Sequence, residues 1–467
     1  MQTKFFTWLL VFVLVGLSSA YIYQANKDKE NYLYKDYGKF YQAARFALEG
    51  KDPYDKIFII HKVDKKIEKS GQTPRIDSLG GLLNPPFFVL LVLPFGLLSY
   101  SWSLLLWSLV SIVCGIISLG LLQKCLPVHF TLNLSLSLLI AFFAYYPTFA
   151  NIQFGQVTLI LMPFEIGAWL AVRRNNNRLA GVLLGIAASL KPFFGLFLLY
   201  FLIRREWRAL SWFISTIVIC AGIAMIGLGV KSYVNYYAIL HSVKWYSSSW
   251  NASLYGFLVR LLGGSERNIP LIAAPGLSLK VFYLSVIIIL AGFIKFLWPT
   301  SKIISEKKRD LDFSITVITL LIISPLTWLY YLPLLIIPWV VLLQLAREKQ
   351  HIGIYLSTCL SIVLSGISHV FIGPGSIRAE NVVAVFIVSA LSVIALFILF
   401  VTLFFARRIS QHPGRPVGSL VLDPIEWISV YGLLLFPSLL SILNTVNSTA
   451  LFGESFIPDF TSAFFGS

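Results

Sequence analysis

Along this chain, apolar residues gather in long runs separated by short polar punctuation. Many runs reach or approach the ~18 residues a helix needs to cross a bilayer core. They predict spans at 4–22, 85–99, 101–122, 131–149, 154–172, 179–203, 209–229, 278–298, 312–330, 331–346, 352–372, 381–406 and 425–444. The pair at 85–122 would cross either once or twice. Short alternating segments, the mark of a transmembrane barrel, are not seen. No strong inverted repeat stands out either. The expected fold class is an all-α polytopic membrane protein, a multi-span helical bundle with two long outer loops and an interfacial amphipathic helix.

The two long polar connections are residues 23–82 and 230–277. The first holds 9 of the 21 acidic residues and 12 basic ones, and the second carries KWYSSSWNASLYGFLVRLL. Other connections are short and basic: RRNNNR at 173–178, RREWR at 204–208, SEKKRD at 305–310, REK at 347–349 and RR at 407–408. Lys and Arg collect in cytoplasmic loops. These loops are therefore expected inside, with 230–277 and the turns at 324–328 and 373–380 outside. One conflict follows, because RRNNNR and RREWR flank a single apolar stretch, 179–203. Either that stretch is one kinked span, or it turns back at Lys191-Pro192, where proline removes a backbone donor and restricts Lys191. Such a break at membrane depth must lie inside the bundle or line a water-filled cavity.

Composition narrows the function classes. Of the 467 residues 57% are hydrophobic and 12% charged, about half the charge of a soluble domain. A net charge of +16 suggests nucleic acid in a soluble protein. Here, basic loops at an anionic leaflet account for it, and no basic stripe or nucleic-acid motif appears. The partners expected are membrane lipids and no nucleic acid. Cys114, Cys125, Cys220 and Cys359 lie in or beside separate apolar runs without a CxxC pair, which points to neither zinc nor a disulfide framework. The histidines are scattered, so no metal or cofactor is expected. There is no GxxxxGK[ST], HExxH or GxSxG. Residues 1–22 resemble a signal peptide ending GLSSAY, but a retained first span is the expected reading, given the many spans that follow.

One segment breaks the apolar pattern: YKDYGKFYQAARFALEGKDPYD, residues 34–55. Tyr37, Phe40, Tyr41, Ala44 and Leu48 fall at helical spacing. Asp36 stands where a helix cap is preferred, and Gly50 where a left-handed stop is preferred. Asp52-Pro53-Tyr54 reads as a turn. This helix is too short to span and is expected at the interface, with Lys39, Arg45 and Glu49 toward water.

Other polar residues sit in apolar surroundings: Gln153 and Gln156 in NIQFGQ, Glu165 in LILMPFEIGAW, Lys191 in AASLKPFF. Ionisable groups at depth normally face the bundle interior with a partner. Glu165 and Lys191 pairing with each other is the plain reading, and Lys191 meeting a headgroup phosphate is the functional one. Gly155 and Gly185 would allow close helix packing. Trp245 and Trp250 flank Asn251, with Arg260 beyond. Aromatics with a few polar groups suit a sugar site, or equally an interfacial belt. The sequons at Asn251 and Asn447 carry little weight.

The order of the motifs says more than any one of them. DYGKFYQAARFALEGKDPY at 36–54 is followed by NPPFFVLLVLPFGLL at 84–98, FGQVTLILMP at 154–163 and GVLLGIAASLKPFFGLFLLYFLIRREWRA at 181–209. NASLYGFLVRLL at 251–262 and SPLTWLYYLPLL at 324–335 complete the series. Over roughly residues 1–345 it resembles glycosyltransferase family 87, the polyprenyl-phosphate-mannose-type transferases of the GT-C superfamily.

The resemblance implies a GT-C-like catalytic membrane module at 1–345, including both outer loops, with further transmembrane helices at 346–467. It implies transfer of a hexose, mannose foremost, from a polyprenyl-phosphate donor to a lipid-linked or glycan acceptor. The reaction would occur on the outer face of the cell membrane, without metal or nucleotide sugar. By the family pattern an aspartate of the first outer loop is the catalytic base, and that position is Asp36. The family often shows histidines after SP-x-x-W, where this chain has Tyr330 and Tyr331. It commonly reads Asn-Gln-Ser where this chain reads Asn251-Ala252-Ser253.

The chemistry agrees. A carboxylate can take the acceptor hydroxyl's proton, and Lys191 or Arg260 would stabilise charge on the departing phosphate. Tyr41, Tyr54, Gln156, Asn251 and Trp328 are candidates for positioning substrate. Single displacement inverts the anomeric centre, while Asp52 and Asp55 leave a two-carboxylate route open. A flippase for a lipid-linked glycan, or a non-catalytic assembly subunit, would share the spans and outer aromatics. The charged first loop favours the enzyme.

Overall fold

The computed structural model describes residues 2–27, 36–54, 57–60, 76–79, 81–125, 131–243, 245–263, 270–299, 305–367 and 382–411. The expected span at 425–444, the turn at 373–380, Asp55 and Asn447 lie outside these residues.

The described chain is helical almost throughout. It begins with α1 (Gln2–Lys27) and α2 (Asp36–Leu48), followed by strands β1 (Ile57–Ile60) and β2 (Ile76–Leu79). Then come α3 (Pro86–Gly96), α4 (Tyr100–Gln123), α5 (Leu132–Ala144), α6 (Tyr146–Phe154), α7 (Thr158–Arg173) and α8 (Asn177–Leu190). A 3-10 turn, Pro192–Leu196, leads to α9 (Phe197–Ile203), α10 (Trp207–Leu228), α11 (Lys231–His241), α12 (Leu254–Leu262), α13 (Pro275–Leu297) and α14 (Glu306–Ile323). A second 3-10 segment, Leu329–Leu335, runs into α15 (Ile336–Glu348), then α16 (Ile352–Ile367) and α17 (Val382–Ser410). The ribbon pairs Ile57 with Leu79 antiparallel. Hydropathy left it as loop, because four residues are too few to reveal a period.

Among the described residues, five helices are long and apolar enough to cross a membrane, or six if α5 and α6, bent by 62°, form one span. Their outer faces expose large apolar side chains such as Leu109, Ile226 and Ile288, a surface that lipid covers and water does not. The polytopic helical class is thus borne out. The apolar run at 85–122 yields one crossing. α3 has 11 residues, about 16 Å, and its Phe88 and Phe95 both pack on Trp107 of α4.

The basic loops meet at one end of the bundle. Arg173, at the foot of α7, pairs with Glu306 and Asp310 of α14. Arg204 binds Asp312 at 2.6 Å, Arg407 lies 4.0 Å from Asp312, and Lys307 pairs with Glu348 at 2.5 Å. Arg204 and Asp312 are fully buried, an arrangement that holds only when each charge has its partner.

The conflict over 179–203 resolves as a hairpin. α8 and α10 run parallel, with Gly181 against Ala209 and Gly185 against Phe213 and Thr216. A Cβ on Gly185 would meet the Phe213 carbonyl at 2.9 Å, so small residues permit this approach. Both helices start at the basic end, where Arg178 lies over Trp212. α9 ends there too, beside Arg204. The stretch therefore enters at Asn177, turns at Lys191 and returns. Its arms match: 14 α-helical residues give about 21 Å, and five 3-10 plus seven α-helical residues about 20 Å. Lys191 is extended (φ −145°, ψ 108°), and Pro192 opens the returning arm, where a missing N–H costs least.

Candidate active site

The opposite end of the bundle is built around α2. Tyr37, Phe40, Ala43 and Ala44 are its buried face. Tyr37 and Phe40 pack on Trp107, and the Tyr37 hydroxyl bonds Ser103 at 2.5 Å. The helix stops as expected at Gly50 (φ 69°). Lys51 N–H donates to the Phe46 carbonyl and Gly50 N–H to that of Ala47, at 2.8 and 3.1 Å, the paired bonds of a left-handed stop.

Asp36 is the first residue of α2, and side chains take up its carboxylate. Oδ1 accepts from Lys39 Nζ at 3.0 Å. Oδ2 accepts from Gln156 Nε2 at 2.5 Å and from the Tyr330 hydroxyl at 3.0 Å. The expectation that Asp36 caps its helix is corrected, since its partners among the described residues are side chains and not backbone N–H groups of the helix. Burial pushes the carboxyl pKa up, but the charge of Lys39 and hydrogen bonds from Lys39, Tyr330 and Gln156 outweigh it. Asp36 therefore sits below the usual carboxylate range and is ionised at neutral pH.

Two turns deliver these partners. α6 ends at Gly155 in the left-handed conformation (φ 65°), where a Cβ would meet Tyr37 Cβ at 2.5 Å. The Gly155 carbonyl accepts from Trp107 Nε1 at 2.8 Å. The tryptophan that seats α2 thus also fixes the turn presenting Gln156. Tyr330 comes from the 3-10 segment that follows α14, stacked on Trp328 with ring centres 6.1 Å apart.

Lys191, at the hairpin tip, is buried beside this cluster. Its Nζ donates to Asn84 Oδ1 at 3.2 Å and lies 5.4 Å from the Tyr331 ring centre. It is close enough to Asp36 and Lys39 for their charges to act on it. Asn84 Nδ2 reaches the Leu190 carbonyl at 3.4 Å, and the Tyr54 hydroxyl donates to the Asn84 carbonyl at 2.8 Å. The expected Glu165–Lys191 pair is not formed. Glu165 is fully buried in α7 with neither carboxylate oxygen partnered among the described residues. Tyr41 donates to the Leu98 carbonyl at 2.9 Å, away from the carboxylate.

Asn251, Arg260 and Trp328 form a second cluster. Asn251 Nδ2 donates to the carbonyls of Tyr246 and Pro325, each at 3.0 Å. Its Oδ1 accepts from the N–H groups of Ser253 and Thr327 at 3.1 and 3.0 Å. All four bonding positions of the amide are used. Asn251 and Trp328 also pair as an isolated bridge. Arg260 Nη1 donates to the carbonyls of Ser248 and Asn251, while Nε and Nη2 are buried without a partner among the described residues. No described contact joins Arg260 to Asp36. The link between the clusters is Trp328 on Tyr330, with Phe154 touching both Trp250 and Tyr330. Among the described residues no three His, Cys, Asp or Glu side chains converge to hold a metal.

The structure thus brings Asp36, Gln156 and Lys191 together and adds Lys39, which the sequence placed toward water, Tyr330, which it noted only at the position where the family often has histidine, and Asn84, which it did not single out. Only Lys39 left a local signal, one turn after Asp36. A family model for glycosyltransferase family 87 matches residues 82–325, more than half of the chain. The chain belongs to glycosyltransferase family 87. It is also similar to the polyprenol-phosphate-mannose-dependent alpha-(1-2)-phosphatidylinositol mannoside mannosyltransferase of Mycolicibacterium smegmatis, at 26% identity over 231 residues. That match covers 47% of this chain and 49% of the relative, so the chain spans about half the length of the curated relative it matches. The matched stretch contains Asn84, Gln156, Lys191, Asn251 and Arg260, while the fold carries Asp36, Lys39 and Tyr330 onto it from outside.

Proposed function

We propose that this family 87 enzyme transfers a hexose, mannose foremost, from a polyprenyl phosphate to a lipid-linked or glycan acceptor, inverting the anomeric centre with Asp36 as base. The observation that carries this reading is the ionised Asp36 carboxylate, gripped by Gln156 and Tyr330 with Lys191 in electrostatic range. The acceptor oxygen bonds to the anomeric carbon as that carbon's bond to the phosphate oxygen breaks, its electron pair leaving on the phosphate. The acceptor's proton passes to Asp36. Lys191 stabilises the charge that grows on the phosphate, and Arg260, with two free donors, is a second candidate phosphate contact. Gln156 orients the base, and Tyr54 acts through Asn84 on Lys191. Asn251 shapes the site by tying its loop to Trp328.

Asp52 is committed to the Tyr54 N–H and the Asn235 side chain. Among the described residues no second carboxylate joins the Asp36 cluster, which favours single displacement. The relative's dependence on polyprenol phosphate mannose supports the donor class. The basic loops at the far end support an active site on the outer face of the cell membrane. In this reading residues 1–345 are the catalytic module, with α16 and α17 packed beside it.

The test is purified protein in lipid, given labelled polyprenyl-phosphate mannose and lipid-linked acceptors. A new mannosyl product is expected, and Asp36→Asn should insert normally but lose activity by about 10²-fold or more. Undiminished turnover in Asp36→Asn would remove Asp36 from the role. Passage of intact lipid-linked glycan across vesicles, with no new glycosidic bond, would favour a transporter.

A further inference from the structure

We propose that Lys39 is a movable phosphate ligand, leaving Asp36 for the donor's phosphate so that donor binding and activation of the base are one event. This rests on the donor class proposed above.

The geometry first shows that Lys39 is free to leave without loss of the base. Lys39 holds only Oδ1, while Gln156 and Tyr330 hold Oδ2 from other elements. When Lys39 departs, these two neutral donors keep the carboxylate aimed. While paired with Asp36, its ammonium also lies 5.5 Å from the ring centre of Trp245, in the loop tied to Trp328. A flexible four-carbon stem can carry its point charge from the carboxylate to an anion that arrives beside it.

Charge gives the second argument. Lys39 and Lys191 face one carboxylate, and Lys191 rests on the neutral amide of Asn84. Two cations and one anion leave the cluster at +1, the complement of a singly charged phosphodiester. After transfer Asp36 is neutral and the released phosphate monoester carries about two negative charges, which the same two lysines balance. Arg45, the other charged residue of the helix, pairs with Glu49 just beyond its end. Among the described residues, the titratable groups facing Asp36 are Lys39 on its own helix, Lys191 at the hairpin tip, and Tyr330 and Tyr331 after α14. α3 and α4, packed against α2, contribute no charged side chain.

The third argument is chemical need. With Lys39 in place Asp36 is a weak base, because a neighbouring cation favours the ionised form. Moving that cation to the phosphate raises the basicity of Asp36 and supplies electrophilic stabilisation to the leaving group at the same moment.

The test measures binding of polyprenyl phosphate to the purified protein in lipid, with polyprenol and inorganic phosphate as comparison ligands. Wild type should bind polyprenyl phosphate in preference to both. Lys39→Met should weaken that binding about 10-fold or more, and Lys39→Arg should retain most of it. In wild type, the acid limb of kcat at saturating donor should lie at higher pH than that of kcat/KM for the donor. In Lys39→Met the two limbs should coincide. Unchanged affinity in Lys39→Met, or limbs that coincide already in wild type, overturns the inference while leaving the donor class standing. Wild-type protein that does not bind polyprenyl phosphate overturns the donor class itself, and this inference with it.

Discussion

Tyr330 donates its hydroxyl to Asp36 Oδ2 at 3.0 Å, joining residues 294 positions apart. The bond favours the charged carboxylate, so it holds the Asp36 pKa down. Tyr330→Phe should therefore raise that pKa. A base works only when deprotonated, so the acid limb of the transfer rate should move to higher pH. Activity below the new limb should fall, and activity well above it should change less. A pH–rate profile on purified enzyme checks this, and an unmoved limb would count against the bond's role.

Gly155 has a left-handed backbone and sits against Tyr37. Gly155→Ala should cost about 1–2 kcal/mol for the conformation alone, and the new methyl must also displace Tyr37 or the turn. Because the same turn presents Gln156, kcat should fall together with thermal stability. Melting in detergent and steady-state rates measure the two effects. A variant with wild-type values on both would show that the turn does not need glycine.

Asn251→Ala should destabilise the site end without touching Asp36. It leaves the N–H groups of Ser253 and Thr327 and the carbonyl of Tyr246 short of a partner, while the Pro325 carbonyl keeps the Ser253 hydroxyl. Burial of even one unpartnered group costs about 1–3 kcal/mol. A lowered melting temperature and faster proteolysis near residues 245–253 are expected.

The hairpin makes a topological statement that cysteine labelling can read. Single cysteines placed at Asn175 and Arg205, in an otherwise cysteine-free chain, should react with a membrane-impermeant reagent from the same side. Reaction from opposite sides would make 177–203 a crossing.

Much of the architecture was legible in the apolar runs, and the basic loops marked one end of the bundle before any contact was known. Gly50 and the Lys191-Pro192 break were legible for a local reason, since backbone preference belongs to the residue itself. The run at 85–99 left one crossing or two open because apolarity does not tell a helix that crosses from one that lies against its neighbours. Glu165 and Lys191 misled because opposite charges in neighbouring runs do not reveal which faces meet. Asn251 is a substrate-contact candidate by sequence, and in the fold its amide is taken up by the backbone of its own loop and of the turn at 324–328. Asn84 and Tyr330 needed the fold, as each acquires its role from a partner distant in sequence, and Lys39, expected toward water, turns to Asp36 one turn before it.

The two arms that carry Lys191 have nearly equal length and share their footing. Adding one residue to an arm would slide the tip by about 1.5 Å and leave both feet on the same side. The protein therefore has a way to set how deep its cation lies, and so how far a lipid's headgroup must sink to meet it, without reversing any loop elsewhere in the chain.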